Sequence, residues 1–100
     1  MGEVNWGYAQ VVTITDTSAQ IIPAKGSANA AGQVRRTGAY LIQPIDGKIR
    51  IAYDAAASAT ESAAVGQDVR DSGEVNNEIR AIRDADEGAN VRALVCYEVQ

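Results

Sequence analysis

Residues 91–99 read Val91-Arg92-Ala93-Leu94-Val95-Cys96-Tyr97-Glu98-Val99, and this run decides the fold. Val91, Ala93, Val95, Tyr97 and Val99 occupy alternate positions, the period at which side chains of a strand return to one face. The opposite face carries Arg92 and Glu98 at its ends but Leu94 and Cys96 at its centre. A strand whose middle is apolar on both faces belongs inside a sheet, with a neighbour on each side. Just upstream, Glu78-Ile79-Arg80-Ala81-Ile82-Arg83 admits two periods. Val75, Ile79 and Ile82 suit a helix at i, i+4 and i+7, whereas the polar turn 84–90 and the strand after it favour a hairpin, which is the expectation adopted.

Working outward, Asp46-Gly47 separates Ala39-Tyr40-Leu41-Ile42-Gln43-Pro44-Ile45 from Lys48-Ile49-Arg50-Ile51-Ala52-Tyr53. Such a pair between apolar runs predicts a second hairpin, because a type I′ turn needs positive φ at both central residues. Pro44 shortens the ladder beside it, and Ile49, Ile51 and Tyr53 alternate with Lys48, Arg50 and Ala52 as on a strand with one wet face. The run Val11-Val12-Thr13-Ile14-Thr15-Asp16 is β-branched almost throughout and ends at Asp16-Thr17-Ser18, residue types whose side chains bond the local backbone in turns. A short run, residues 19–22, stops at Pro23, which cannot donate to a ladder, so that strand ends there or lies at an edge. Residues 24–38 shift to Gly, Ala, Ser and Asn with Lys25, Arg35 and Arg36, the composition of a long surface loop. The Ala-rich residues 54–64 are open to a short helix or a flexible loop. Residues 1–9 hold Trp6 and Tyr8 with no periodic run to bury them, and read as an N-terminal arm before a single domain at 10–100.

Six or so short strands, polar connections and at most one short helix define an all-β fold, an antiparallel β-sandwich or barrel. The chain has 100 residues, the size of one domain, so an interdomain active site is not expected. Of its residues 46% are hydrophobic, yet 18 are Ala against 19 Val and Ile together and two Leu, so the apolar core is thin and strand-forming. A net charge of −4 repels nucleic acid and anionic membranes. No apolar run approaches the roughly 18 residues of a membrane span, and the opening residues lack the basic start and apolar stretch of a signal peptide. A single cysteine cannot form an internal disulfide, which fits cytosol-like conditions.

The inventory for chemistry is short. There is no His, which removes the commonest general base and the usual zinc ligand. Lys25 or Lys48 could serve as a base, but no nucleophile stands at the spacing of a known dyad. Cys96, mid-strand, reads as a small core hydrophobe rather than a reactive thiol. The acidic turn Asp84-Ala85-Asp86-Glu87-Gly88-Ala89-Asn90 departs from a calcium loop, since Gly88 stands fifth and Val95 takes the place of the bidentate Glu; it reads as a solvated hairpin turn. Residues 26–32 contain Gly26 and Gly32 but lack the Gly-Lys-Ser/Thr end of a phosphate loop. Arg80, Arg83 and Arg92 make either a stripe across the final hairpin facing an acidic partner or, beside Glu78, Asp84 and Glu98, ordinary cross-strand ion pairs. No cofactor, metal or catalytic residue is expected, and Trp6 and Tyr8 either cap one end of the sandwich or anchor a neighbouring subunit.

Taken in order, Val11-Val12-Thr13-Ile14-Thr15, Tyr40-Leu41-Ile42-Gln43, Ile49-Arg50-Ile51-Ala52-Tyr53, Ile79-Arg80-Ala81-Ile82 and Val91-Arg92-Ala93-Leu94-Val95 resemble the strand layout of small tailed-bacteriophage virion proteins, the decoration or cement, head-fibre and tail-associated group. The Ala-rich stretch 54–64 looks like an insertion in that layout. The resemblance implies a non-enzymatic antiparallel β-sandwich or jelly-roll-like module on the capsid exterior, made in the host cytoplasm, often trimeric, and clamping the major capsid protein or other virion proteins. The contacts expected on that reading are Trp6, Tyr8, Arg35 and Arg36. A tail, neck or head-fibre component and a carbohydrate-binding module are the alternatives.

Overall fold

In the computed structural model, which describes residues 6–67, 69–71 and 75–100 (Asp71 by its backbone alone), eight strands form two four-stranded antiparallel sheets. They are β1 (Tyr8–Ile14), β2 (Ala19–Ile22), β3 (Arg35–Pro44), β4 (Ile49–Tyr53), β5 (Ala63–Val65), β6 (Arg70–Asp71), β7 (Ile79–Arg83) and β8 (Val91–Val99). Sheet A has the order β1-β8-β3-β6 and sheet B the order β2-β7-β4-β5. Four pairs, β1 with β8, β2 with β7, β3 with β6 and β4 with β5, lie side by side, as if one long hairpin had been rolled so that its successive segments alternate between sheets. That is the jelly-roll form of the β-sandwich. No helix occurs among the described residues.

The expectation for the last strand holds, since β8 is paired on one side with β1 and on the other with β3. Its alternate residues Val91, Ala93, Val95 and Tyr97 face inward with Ile14, Tyr40 and Ile42, and meet Ile22, Ile49, Ile51, Val65, Ile79 and Ala81 of sheet B. Each buried Val or Ile adds about 1.5–3 kcal/mol, and the two inner faces together make the core. Pro23 closes β2, which lies at the edge of sheet B as its proline requires.

Both expected hairpins are replaced by corners between the sheets. Asp46-Gly47 joins β3 of sheet A to β4 of sheet B, and neither residue has positive φ; among the described non-glycine residues Asp54 alone does, at 56°. What the corner needs from Gly47 is room, because a Cβ there would stand 2.7 Å from Val91 Cγ2 and 3.0 Å from the Glu87 carboxyl carbon. Asp46 turns its carboxylate onto β8, accepting from the Arg92 backbone N–H at 2.7 Å and from Arg92 Nε at 2.9 Å. Likewise β7 and β8 lie in different sheets, so residues 84–90 form a second corner, beside the first at the same end of the sandwich. The true tip of the rolled hairpin is the Ala-rich segment between β4 and β5, which is not helical.

Residues 24–38 divide. A self-bonded loop runs to Val34, and strand β3 begins at Arg35, four residues before the expected start at Ala39. Asn29 organises the loop, its Oδ1 accepting from the backbone N–H groups of Ala31 and Gln33, both at 3.0 Å, while Gly26 and Gly32 take φ of 85° and 84°. Residues 1–5 of the expected arm lie outside the described residues. Its last two, Tyr8 and Ala9, belong to β1.

Candidate interaction surface

Four residues were expected to meet a partner, and the structure places them differently. Tyr8 begins β1 and stacks on Tyr97 with ring centroids 4.4 Å apart and planes 13° from parallel, so it is half-buried in its own sandwich. Burial raises the pKa of both phenols, and Asn29 Nδ2 donates to the Tyr97 hydroxyl at 2.8 Å. Trp6 is half-buried, beside Gly7, where a Cβ would overlap Val99. Arg36 is exposed and donates to Glu98 Oε2 at 2.9 Å, on which Thr37 Oγ1 also converges through Oε1 at 2.5 Å.

Arg35 corrects the expectation outright, because it is 0% exposed and cannot reach a partner in this fold. Its NH1 donates to the carbonyls of Pro23 and Asn77, each at 2.9 Å, and its NH2 to those of Gly38, at 3.1 Å, and Val75. One guanidinium thus ties the β2–β3 connection to the approach to β7. Burial lowers its pKa, partly offset by Tyr40 and Tyr97, yet an arginine stays charged. Its Nε is buried without a hydrogen-bond partner. Arginines flanking a Gly-rich stretch look solvent-facing in a sequence, and strict alternation back from Ile42, Tyr40 and Gly38 would turn Arg36 inward; the register irregularity between Arg35 and Tyr40 puts Arg35 inside instead.

The arginine stripe is absent because β7 and β8 are in different sheets. Arg80 donates to Glu78 Oε1 at 3.1 Å and to Ser18, Arg83 to Asn90 Oδ1 at 3.0 Å, and Arg92 to Asp46. The acidic turn is not solvated at its start either. Asp84 is 2% exposed, accepting from the Asp86 backbone N–H at 2.9 Å and from Arg50 Nε at 2.6 Å, and these bonds hold its carboxyl below the ordinary carboxylate value. Glu87 Oε2 accepts from the Lys48 backbone N–H at 2.8 Å, so the turn fastens the two corners together. Among the described residues no group of three or more His, Cys, Asp or Glu could hold a metal ion.

One surface was missed by sequence reasoning, the outer face of sheet A. The strand register sets Ala9, Cys96 and Leu41 in one row across β1, β8 and β3, and Val11, Leu94 and Gln43 in the next outward row. Val11 is 55% exposed, and Leu94 and Leu41 are half-exposed. On β1, β8 and β3 no charge falls in these rows; on the edge strand β6 the first row continues to Asp71. The Arg36–Glu98 pair closes one end and the Arg92–Asp46 pair the other. An apolar centre with a charged rim is the anatomy of a protein-binding face. Cys96 lies flush within it at 3% exposure, and burial pushes its thiol pKa up, away from the reactive thiolate. Leu94 and Leu41 carried this signal, the only leucines in the chain, both on the outward phase of their strands.

A pocket of about 200 Å³ opens beside Ala64, Val65, Gly66, Val69 and Arg70. Near it the Tyr40 and Tyr53 hydroxyls are 3.1 Å apart, and a hydrogen bond with Tyr40 raises the pKa of Arg70. Comparison with known proteins gives no family model, curated protein or solved structure that matches the chain.

Proposed function

We propose that this protein is a non-enzymatic structural component of a larger assembly, binding its neighbours through the outer face of sheet A. A capsid decoration or cement protein on a tailed-phage shell, contacting the major capsid protein, is the form of that role the sequence resemblance suggests. The observation that carries the proposal is the uncharged strip formed by Ala9, Val11, Leu41, Leu94 and Cys96, rimmed by two ion pairs. Jelly rolls serve viral capsids, lectins and cupins alike, so the fold alone does not select among them. A lectin of this kind would rest on several exposed aromatics; here Tyr40 and Tyr97 are buried, Tyr8 is stacked on Tyr97 and Trp6 is half-buried, which leaves Tyr53 alone exposed and favours the protein-binding reading.

The test is co-sedimentation of purified protein with undecorated shells of a tailed phage whose genome encodes the chain. Wild type should bind, and Leu94→Lys should lose at least tenfold in affinity while keeping its β-sheet circular dichroism. A wild-type protein that ignores shells but binds a glycan array would overturn the proposal in favour of the carbohydrate module.

A further inference from the structure

The four strand edges of the sandwich are not alike. On sheet B, β2 has four residues, a register irregularity between Gln20 and Ile22 and a proline stop, and β5 has three residues. On sheet A, β6 has two residues, both charged types. Short length, bulges, proline and charge are the devices by which proteins keep sheet edges from pairing with other chains. The fourth edge, β1, has none of them. Its sequence Tyr8-Ala9-Gln10-Val11-Val12-Thr13-Ile14 has no charge, no proline and no glycine, and it keeps unbroken register with β8 over all seven residues. Among the described residues no strand lies on its other side.

We infer that β1 is a homotypic edge, pairing antiparallel with β1 of a second copy about a two-fold axis at Val11. Full overlap sets Val11 opposite Val11 of the second copy, Gln10 opposite its Val12, Ala9 opposite its Thr13 and Tyr8 opposite its Ile14. Strand pairing keeps each side chain on its own face, so outward residues meet outward ones. The charge argument selects a copy of this chain as occupant. Seven uncharged residues lie against themselves without any like-charge pair, including at Val11, the one position that must face itself on the axis. Pairing also continues the apolar strip, because the two Val11 side chains would join the Leu94 rows of both copies, while the Ala9–Cys96 row of each copy would meet the Thr13–Arg92 row of the other. This inference rests on the reading of sheet A as an assembly face and names one of its partners.

A strand pair of this length buries less than the ~1,200 Å² of a standard stable interface, so a reversible, concentration-dependent dimer is expected. Sedimentation equilibrium from about 1 µM to 1 mM, the range a contact of this size calls for, should show monomer converting to dimer. Val11→Lys and Val11→Glu each place like charges face to face across the axis and should weaken the dimer at least tenfold. An equimolar mixture of the two variants should restore it as a heterodimer, which a general loss of folding could not produce. A wild-type monomer throughout, a trimer, or two variants that dimerise like wild type would each overturn the inference. Shell co-sedimentation separates the two claims: a monomer that still binds shells removes the dimer and leaves the proposed function, and a dimer that ignores shells does the reverse.

Discussion

The two outer faces of this sandwich use the same kinds of residue to opposite ends. On sheet B, Ile82 points outward from β7 yet is 8% exposed, whereas on sheet A Val11 points outward from β1 and is 55% exposed. Part of the difference is position, since Val11 lies on an edge strand whereas Cys96, outward on the central β8, is 3% exposed; the rest lies in the chain that passes over sheet B. The Ala-rich tip between β4 and β5 is bonded across the outer side of sheet B. Ala57 N–H donates to Ser18 Oγ at 2.9 Å, Ala85 N–H to the Ala59 carbonyl at 3.0 Å, and Arg50 NH1 to the Ser62 carbonyl at 2.7 Å. Small side chains let this strap lie close, and Arg50, Arg80 and Asp84 fasten what surrounds it. Sheet A has no such strap among the described residues. One face is closed by its own chain, and the other is left apolar at its centre and charged only at its rim.

The largest expected effect comes from the cation that holds the roll shut. Arg35→Met keeps much of the side-chain volume but strands the carbonyls of Pro23 and Gly38, which are buried, and those of Val75 and Asn77, which are partly so, and should cost about 3–5 kcal/mol in urea unfolding. A loss below 1 kcal/mol would mean that water reaches those carbonyls and that Arg35 is no keystone. Next, the same substitution on the two faces sharpens their contrast. Ile82→Lys drives a charge under the strap and should cost about 2 kcal/mol, while Val11→Lys should stay within ~0.5 kcal/mol, as exposed surface changes do. Equal costs would erase the distinction between covered and bare faces.

A pH titration tests the strap's anchor separately. The folded-state pKa of Asp84 is depressed, chiefly by the Asp86 N–H and then by Arg50, from an ordinary value of 3.8. Its contribution to stability is therefore complete above 3.8, falls as pH drops toward the folded-state pKa, and is gone once both states are protonated. Asp84→Asn should lower the urea midpoint at neutral pH, with the gap from wild type closing below about pH 4. A gap that stays constant down to pH 2, about two units lower, would assign its role to shape rather than charge.

Alternation made the strands legible: Ile49, Ile51, Val91, Ala93, Val95 and Tyr97 all face the core as their period required. The all-β class followed from that, and so did the central place of β8. Pairing was hidden, because a corner and a hairpin recruit the same turn residues. Asp46-Gly47 serves a crossing in which Gly47 supplies clearance and Asp46 caps Arg92, and no local rule distinguishes this from a type I′ turn. The candidate surface was hidden for a related reason. Ala9, Cys96 and Leu41 come from three strands far apart in sequence and become a row only once the register is known.

The smallest expected effect concerns the rim of the bare face. Arg36 is 51% exposed at its side chain and meets a Glu98 that also accepts from Thr37, so half of the pair is already ordered without it. An exposed pair of this kind is worth ~0.2–1 kcal/mol at most, and salt screens it. Arg36→Ala should lower stability by no more than about 0.5 kcal/mol, with the loss vanishing at ~1 M salt, where the screening length shrinks to about 3 Å. If the rim instead steers a partner onto the apolar strip, the same variant should slow association with shells several-fold at low salt while leaving dissociation unchanged. A change confined to dissociation would place Arg36 inside the contact rather than around it.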